Sequence, residues 1–75
     1  AEKNSDAQFI VGRCYFLGKG VEKDLEKAFS WYKAAAEKGN PFAQNSTGWC
    51  YKNGKGVEED LKKAFEFFSK AAVQG

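Results

Sequence analysis

Gly18-Lys19-Gly20-Val21-Glu22-Lys23-Asp24-Leu25 recurs with one change as Gly54-Lys55-Gly56-Val57-Glu58-Glu59-Asp60-Leu61. Placing residues 4–39 over residues 40–75 extends the match without a gap, with 19 identities in 36 positions. Self-similarity at a period of about 20 to 50 residues is the mark of stacked supersecondary units. The chain therefore divides into repeat one, at about residues 4–39, and repeat two, at about 40–75. All eight glycines fall into this register as Gly12 with Gly48, Gly18 with Gly54, Gly20 with Gly56 and Gly39 with Gly75.

Working outward from the glycine-bearing segment, each repeat reads as two helices around a turn. The first helix is predicted over about Ser5 to Leu17 and Pro41 to Asn53, with Asn40 as a cap and Pro41 in the first turn, where a missing N–H costs nothing. Gly18 and Gly54 supply the left-handed conformation that often ends a helix. Asp24 and Asp60 are placed to cap the second helix through their carboxylates. That helix carries Leu25, Ala28, Phe29, Tyr32, Ala35 and Ala36, the spacing of one buried face, and in repeat two Leu61, Ala64, Phe65, Phe68, Ala71 and Ala72. Gly39 and Gly75 end it. No alternating stretch is long enough for a strand, so the fold class is all-α.

Composition narrows the function. The 75 residues include two Cys, no His and no Met, which excludes a disulfide-rich scaffold, a His-containing zinc site and Ser-His or Cys-His catalysis. Twelve Lys and Arg against ten Asp and Glu give +2, too weak and interleaved a charge for a nucleic-acid partner. No apolar run approaches the roughly 20 residues of a membrane-spanning helix, so membrane insertion is not expected. No cofactor or metal is expected. The polar start, Ala1 to Asp6, is unlike the apolar core of a secretory signal, and the sequence supplies no address.

The pattern Ala7-x-x-x-Val11-Gly12-x-x-Tyr15-x-x-Gly18-x-Gly20-Val21-x-x-Asp24-x-x-Lys27-Ala28-x-x-Trp31-Tyr32-x-x-Ala35-Ala36-x-x-Gly39 resembles the Sel-one-like repeat, a relative of the tetratricopeptide repeat. Repeat two matches through Ala43, Gly48, Tyr51, Gly54, Gly56, Val57, Asp60, Lys63, Ala64, Ala71, Ala72 and Gly75. It departs at Thr47, where the family prefers Leu, and at Phe67 and Phe68, where Trp-Tyr is usual. The resemblance implies an α-solenoid of two antiparallel helix-turn-helix repeats and an adaptor or scaffold without catalysis. Ala1-Glu2-Lys3-Asn4 reads like Ala36-Glu37-Lys38-Gly39-Asn40 with the glycine missing, so residues 1–3 are expected to end a preceding repeat of a longer array. Arrays of this kind need polar caps, and Phe65, Phe67 and Phe68 give the last helix more apolar surface than a capping repeat carries. Marginal stability, or self-association through uncapped ends, is the expectation.

The repeats disagree in an ordered way. At about 100° per residue, positions 6, 9, 10, 13, 16 and 17 share one sector of the first helix, and all six differ between the copies. Repeat one carries Asp6, Phe9, Ile10, Arg13, Phe16 and Leu17 there; repeat two carries Phe42, Asn45, Ser46, Trp49, Lys52 and Asn53. By resemblance to tetratricopeptide arrays, this face lines a concave groove for a partner peptide or helix. The candidate binding residues are thus Phe9, Arg13, Phe16, Leu17, Phe42, Asn45, Trp49, Lys52 and Asn53, since aromatic and Arg side chains dominate binding hot spots. Phe9, Phe16 and Trp49 would be apolar anchors, with Arg13 and Lys52 for acidic groups.

Other motifs have simpler readings. Cys14 and Cys50 sit at one position of neighbouring units, about 8 to 10 Å apart by helix packing, beyond the roughly 7 Å a disulfide tolerates. Free thiols and a reducing compartment follow, unlike the family's cysteine-rich branch, where each repeat resembles its own bridged pair. Gly18-Lys19-Gly20 lacks the loop length and the Ser or Thr of a phosphate-binding loop. Asn45-Ser46-Thr47 matches a glycosylation site but falls within a predicted helix. Glu58, Glu59 and Asp60 start a helix, where the dipole favours negative charge. Ser30 and Lys33 have the spacing of an acylating Ser-x-x-Lys, and cysteine-rich relatives are linked to β-lactam binding or hydrolysis, yet the companion Ser-Asp-Asn and Lys-Thr-Gly elements are missing. A passive spacer between other domains is the remaining alternative.

Overall fold

A computed structural model of the chain describes residues 2–74, and among these it holds four α-helices and no strand. They are α1 (Glu2–Leu17), α2 (Leu25–Glu37), α3 (Pro41–Asn53) and α4 (Leu61–Gln74). Helix α1 packs on α2, α2 on α3 and α3 on α4, so order in space follows order in the chain.

The expected local signals make these boundaries. The Asp24 carboxylate accepts from Lys27 N–H at 3.1 Å, and Asp60 accepts from Lys63 N–H at the same distance. Asn40 caps α3 by accepting from Ala43 N–H at 2.9 Å, with Pro41 in the first turn. Gly54 closes α3 at φ 65°, a conformation that costs a side chain with a Cβ about 1 kcal/mol or more. Each linker is then tied back to the helix it left, Asp24 N–H to the Tyr15 carbonyl at 3.0 Å and Asp60 N–H to that of Tyr51 at 2.9 Å. The helices of each pair are thereby returned antiparallel.

At the N-terminus α1 runs unbroken from Glu2 and carries Asn4 inside it. At the matching place between α2 and α3, Gly39 adopts φ 96° and breaks the helix before Asn40; Lys3 stands there in repeat one and offers no such break. Ala1 and the expected terminator Gly75 lie outside the described residues.

The core joins small residues to a few aromatics. Ala28, Ala35, Ala36, Ala43, Ala64 and Ala71 are buried, with Tyr32, Tyr51 and Phe67 filling between them. Small residues let the helices close in. A Cβ built on Gly12 would lie 2.9 Å from Tyr32 Cδ1 and 3.1 Å from the Ala28 carbonyl oxygen, and one on Gly48 would lie 3.0 Å from the Phe68 ring and 3.1 Å from the Ala64 carbonyl oxygen. Repeat contacts recur in kind: Lys27 Nζ lies over the Tyr15 ring at 5.5 Å and Lys63 Nζ over Tyr51 at 5.7 Å.

The apolar face expected of α4 is only partly buried. Ala64 and Ala71 are covered, but Leu61 and Phe65 are 62% and 71% exposed, and Ala72 is exposed too. Their counterparts Leu25 and Phe29 are half-buried, because α3 and the Val57 segment lie against them. Phe67, expected as surplus surface, is instead 8% exposed and stacks on Tyr51 at 5.8 Å, while Phe68 is half-buried.

Candidate functional site

The variable face of α1 and that of α3 meet side by side. Phe9 lies 6.3 Å from Phe42 between ring centres, and Phe16 meets Trp49 edge-on at 5.6 Å. Beneath them Tyr32 of α2 touches both Phe9, at 5.5 Å, and Phe16, at 6.2 Å. Phe16, Tyr32, Ser46 and Trp49 line a cleft of about 170 Å³, its walls drawn from three helices. The residues that differ between the repeats thus converge on one aromatic depression spanning both.

Not all nine candidates serve it equally. Phe42 and Trp49 are 66% and 42% exposed, which leaves ring surface free for contact. Phe9 and Phe16 are half-buried and pack against the core, and Phe9 joins both of its clusters. Phe9 is therefore a structural residue as much as an anchor, so truncating it would disturb the fold along with the face. Arg13, Asn45 and Lys52 are exposed, as is Leu17 at the end of α1. Asn53 spends its side-chain amide on the Trp49 carbonyl, donating from Nδ2 at 3.0 Å, and so braces the end of α3.

Tyr32 is the member that sequence reasoning missed. Its place on the apolar face of α2 reads as packing between helices, and it is buried at 5% exposure, yet it also forms the cleft floor. Its register, one turn beyond the close crossing at Gly12, carried the signal: a ring beside the missing Cβ must lie under α1. Burial, with Cys50 adding to it, pushes the Tyr32 hydroxyl up to about 12 against the opposing pull of Arg13, so the floor is a neutral phenol at physiological pH.

The remaining motifs are accounted for by position. Cys14 and Cys50 are free thiols; Cys50 is 1% exposed, and burial pushes it up to about 11, which leaves it an inert thiol at neutral pH. Among the described residues no cluster of three or more His, Cys, Asp or Glu could hold a metal, and no helix is long and apolar enough to cross a membrane. Thr47 of the glycosylation motif is fully buried inside α3. Ser30 is exposed on α2, away from the residues of the cleft.

Paired antiparallel helices, capped alike and stacked in chain order, define an α-helical repeat protein of the solenoid class. The chain belongs to the Sel1 repeat family, whose model matches twice, over residues 5–40 and 41–75. It is similar to a Sel1 repeat protein from Oxalobacter formigenes at 45% identity and a TM-score of 0.94, covering 95% of this chain and 53% of that one. A protective antigen of uropathogenic Escherichia coli strains displaying an SLR fold matches at 41% and 0.93, over 95% of this chain and 15% of the antigen. Helicobacter pylori cysteine rich protein B matches at 32% and 0.92, over 95% and 53%. The chain thus spans about half the length of two of these proteins and a smaller share of the third. Repeats of this family are in general non-catalytic modules of protein interaction.

Proposed function

We propose that the chain is an adaptor or scaffold module that takes a partner's peptide or helix along the α1 and α3 face. The observation that carries this reading is the aromatic cleft between Phe16, Tyr32 and Trp49, roofed by none of the other described residues and bordered by the exposed ring of Phe42. An apolar side chain of the partner enters the cleft, and exposed Arg13 and Lys52 favour acidic residues beside it. No proton transfer or nucleophile is involved.

Selection from a random peptide display library tests this, with the fluorescence anisotropy of a labelled peptide as the binding signal. Selected peptides should carry an aromatic or branched aliphatic residue near acidic ones. Trp49→Ala should weaken them by roughly thirtyfold or more, the loss typical of a hot spot, and Phe42→Ala by less. Undiminished affinity in both variants, with helicity intact, removes the cleft from the function and leaves the spacer reading.

A further inference from the structure

The aromatic contacts between α1 and α3 prescribe the shape of what can lie over them. Phe9 meets Phe42 and Phe16 meets Trp49, an offset of 33 residues in both cases. Seven residues along α1 are thus matched by seven along α3, so the two helices run parallel and the contacts form two apolar rungs. At a rise of about 1.5 Å per residue the rungs stand about 10.5 Å apart. Phe42 offers exposed ring surface at the first, and the cleft over Tyr32 opens at the second. The same register sets Arg13 opposite Ser46, so the interval between the rungs is polar.

The charge on this face has one sign. Helix α3 contains no acidic residue, and the acids of α1, Glu2 and Asp6, lie before the first rung. Asp6 is engaged there, accepting from Asn40 Nδ2 at 2.9 Å. Arg13 is exposed between the rungs, and its charge reaches the Tyr32 hydroxyl at the cleft floor. From this we infer that the partner segment is an amphipathic α-helix lying along the groove between α1 and α3, with two large apolar residues seven apart and a carboxylate midway between them. The inference rests on the cleft being the binding site and adds the form of the ligand.

Backbone geometry selects the helix. Residues seven apart in an α-helix share a face within about 20° and span the rung spacing, and the third or fourth residue between them lies on that face too, opposite Arg13. A β-strand covers about 10 Å in three residues, but the third points to the opposite side. A polyproline helix brings every third residue to one face at about 9 Å, yet the two residues between are turned away, leaving Arg13 without a partner. Only the α-helix meets both rungs and the charge.

The probes are labelled alanine-based peptides of about 18 residues, long enough to hold a helix, with leucine and phenylalanine seven apart and a glutamate midway. Fluorescence anisotropy should show this peptide binding, and exchanging the phenylalanine with the alanine before it, which turns the second anchor about 100° away, should weaken binding by tenfold or more. Arg13→Glu should weaken the glutamate peptide by about fivefold and prefer a peptide with lysine in its place. Arg13 is exposed, so the variant keeps its fold, which circular dichroism checks. Equal binding of the shifted peptide, or an Arg13→Glu variant that does not reverse the charge preference, overturns the inference. Library-selected peptides that depend on Trp49 but tolerate proline between their anchors remove the helix and leave the cleft as the binding site. Peptides indifferent to Trp49→Ala remove both.

Discussion

Thr47 shows what a single residue reveals about this fold. It is fully buried, and among the described residues its hydroxyl Oγ1 finds no hydrogen-bond partner, while the matching position in repeat one is Val11. A buried hydroxyl without a partner costs about 1 to 3 kcal/mol, and valine has nearly the same shape. Thr47→Val should therefore stabilise the chain by about 1 kcal/mol, raising Tm by about 4 to 8 °C in a domain this small. A fall in Tm on thermal denaturation would show that the hydroxyl is satisfied in solution.

Among the elements, the decisive fit is the close crossing within each helix pair. Replacing Gly12 by Ala gains up to about 1 kcal/mol of helix propensity. The new Cβ would however lie 3.1 Å from the Ala28 carbonyl oxygen, a backbone atom that cannot turn aside as the Tyr32 ring can. Overpacking of this kind costs about 1 to 3 kcal/mol, so the net effect should be a loss of about 1 kcal/mol in urea unfolding, with a similar loss for Gly48→Ala against the Ala64 carbonyl. The existence and order of the helices, and the starts of α2, α3 and α4, were legible in the sequence because their signals act over three or four residues: Asp24 on Lys27, Asn40 on Ala43, Asp60 on Lys63. Burial was less legible. Leu25 and Leu61 are spelled alike, and only the element packed on the first distinguishes them. The variable face of α1 and α3 was found by comparing repeats, but its floor, Tyr32, lies on α2 and looks like ordinary core until the crossing is seen.

For the whole molecule, thickness governs. Its Cα atoms fit within 33 × 29 × 14 Å, and 14 Å accommodates helix pairs with no third layer over them. Alanines can seal the seam between paired helices, while Ile10, Phe42, Phe65 and Val73 stay largely in water for want of anything above them. Stability is consequently concentrated where helices are covered on two sides. Amide hydrogen exchange should be slowest in α2 and α3, which have the most extensive packing, and fastest in α4, which packs on α3 alone among the described helices. Uniform protection across the four helices would mean that the repeats unfold as a single unit.

Spatial order that follows chain order also sets how the molecule answers to force. Under tension the outermost helix of such a stack, here α4 on α3, can come away from its neighbour while the rest stays folded. Extension should accordingly proceed helix by helix at low tension and recoil readily, since each helix need only find the one beside it. A protein built this way behaves as a soft spring, and a partner bridging α1 and α3 would stiffen it.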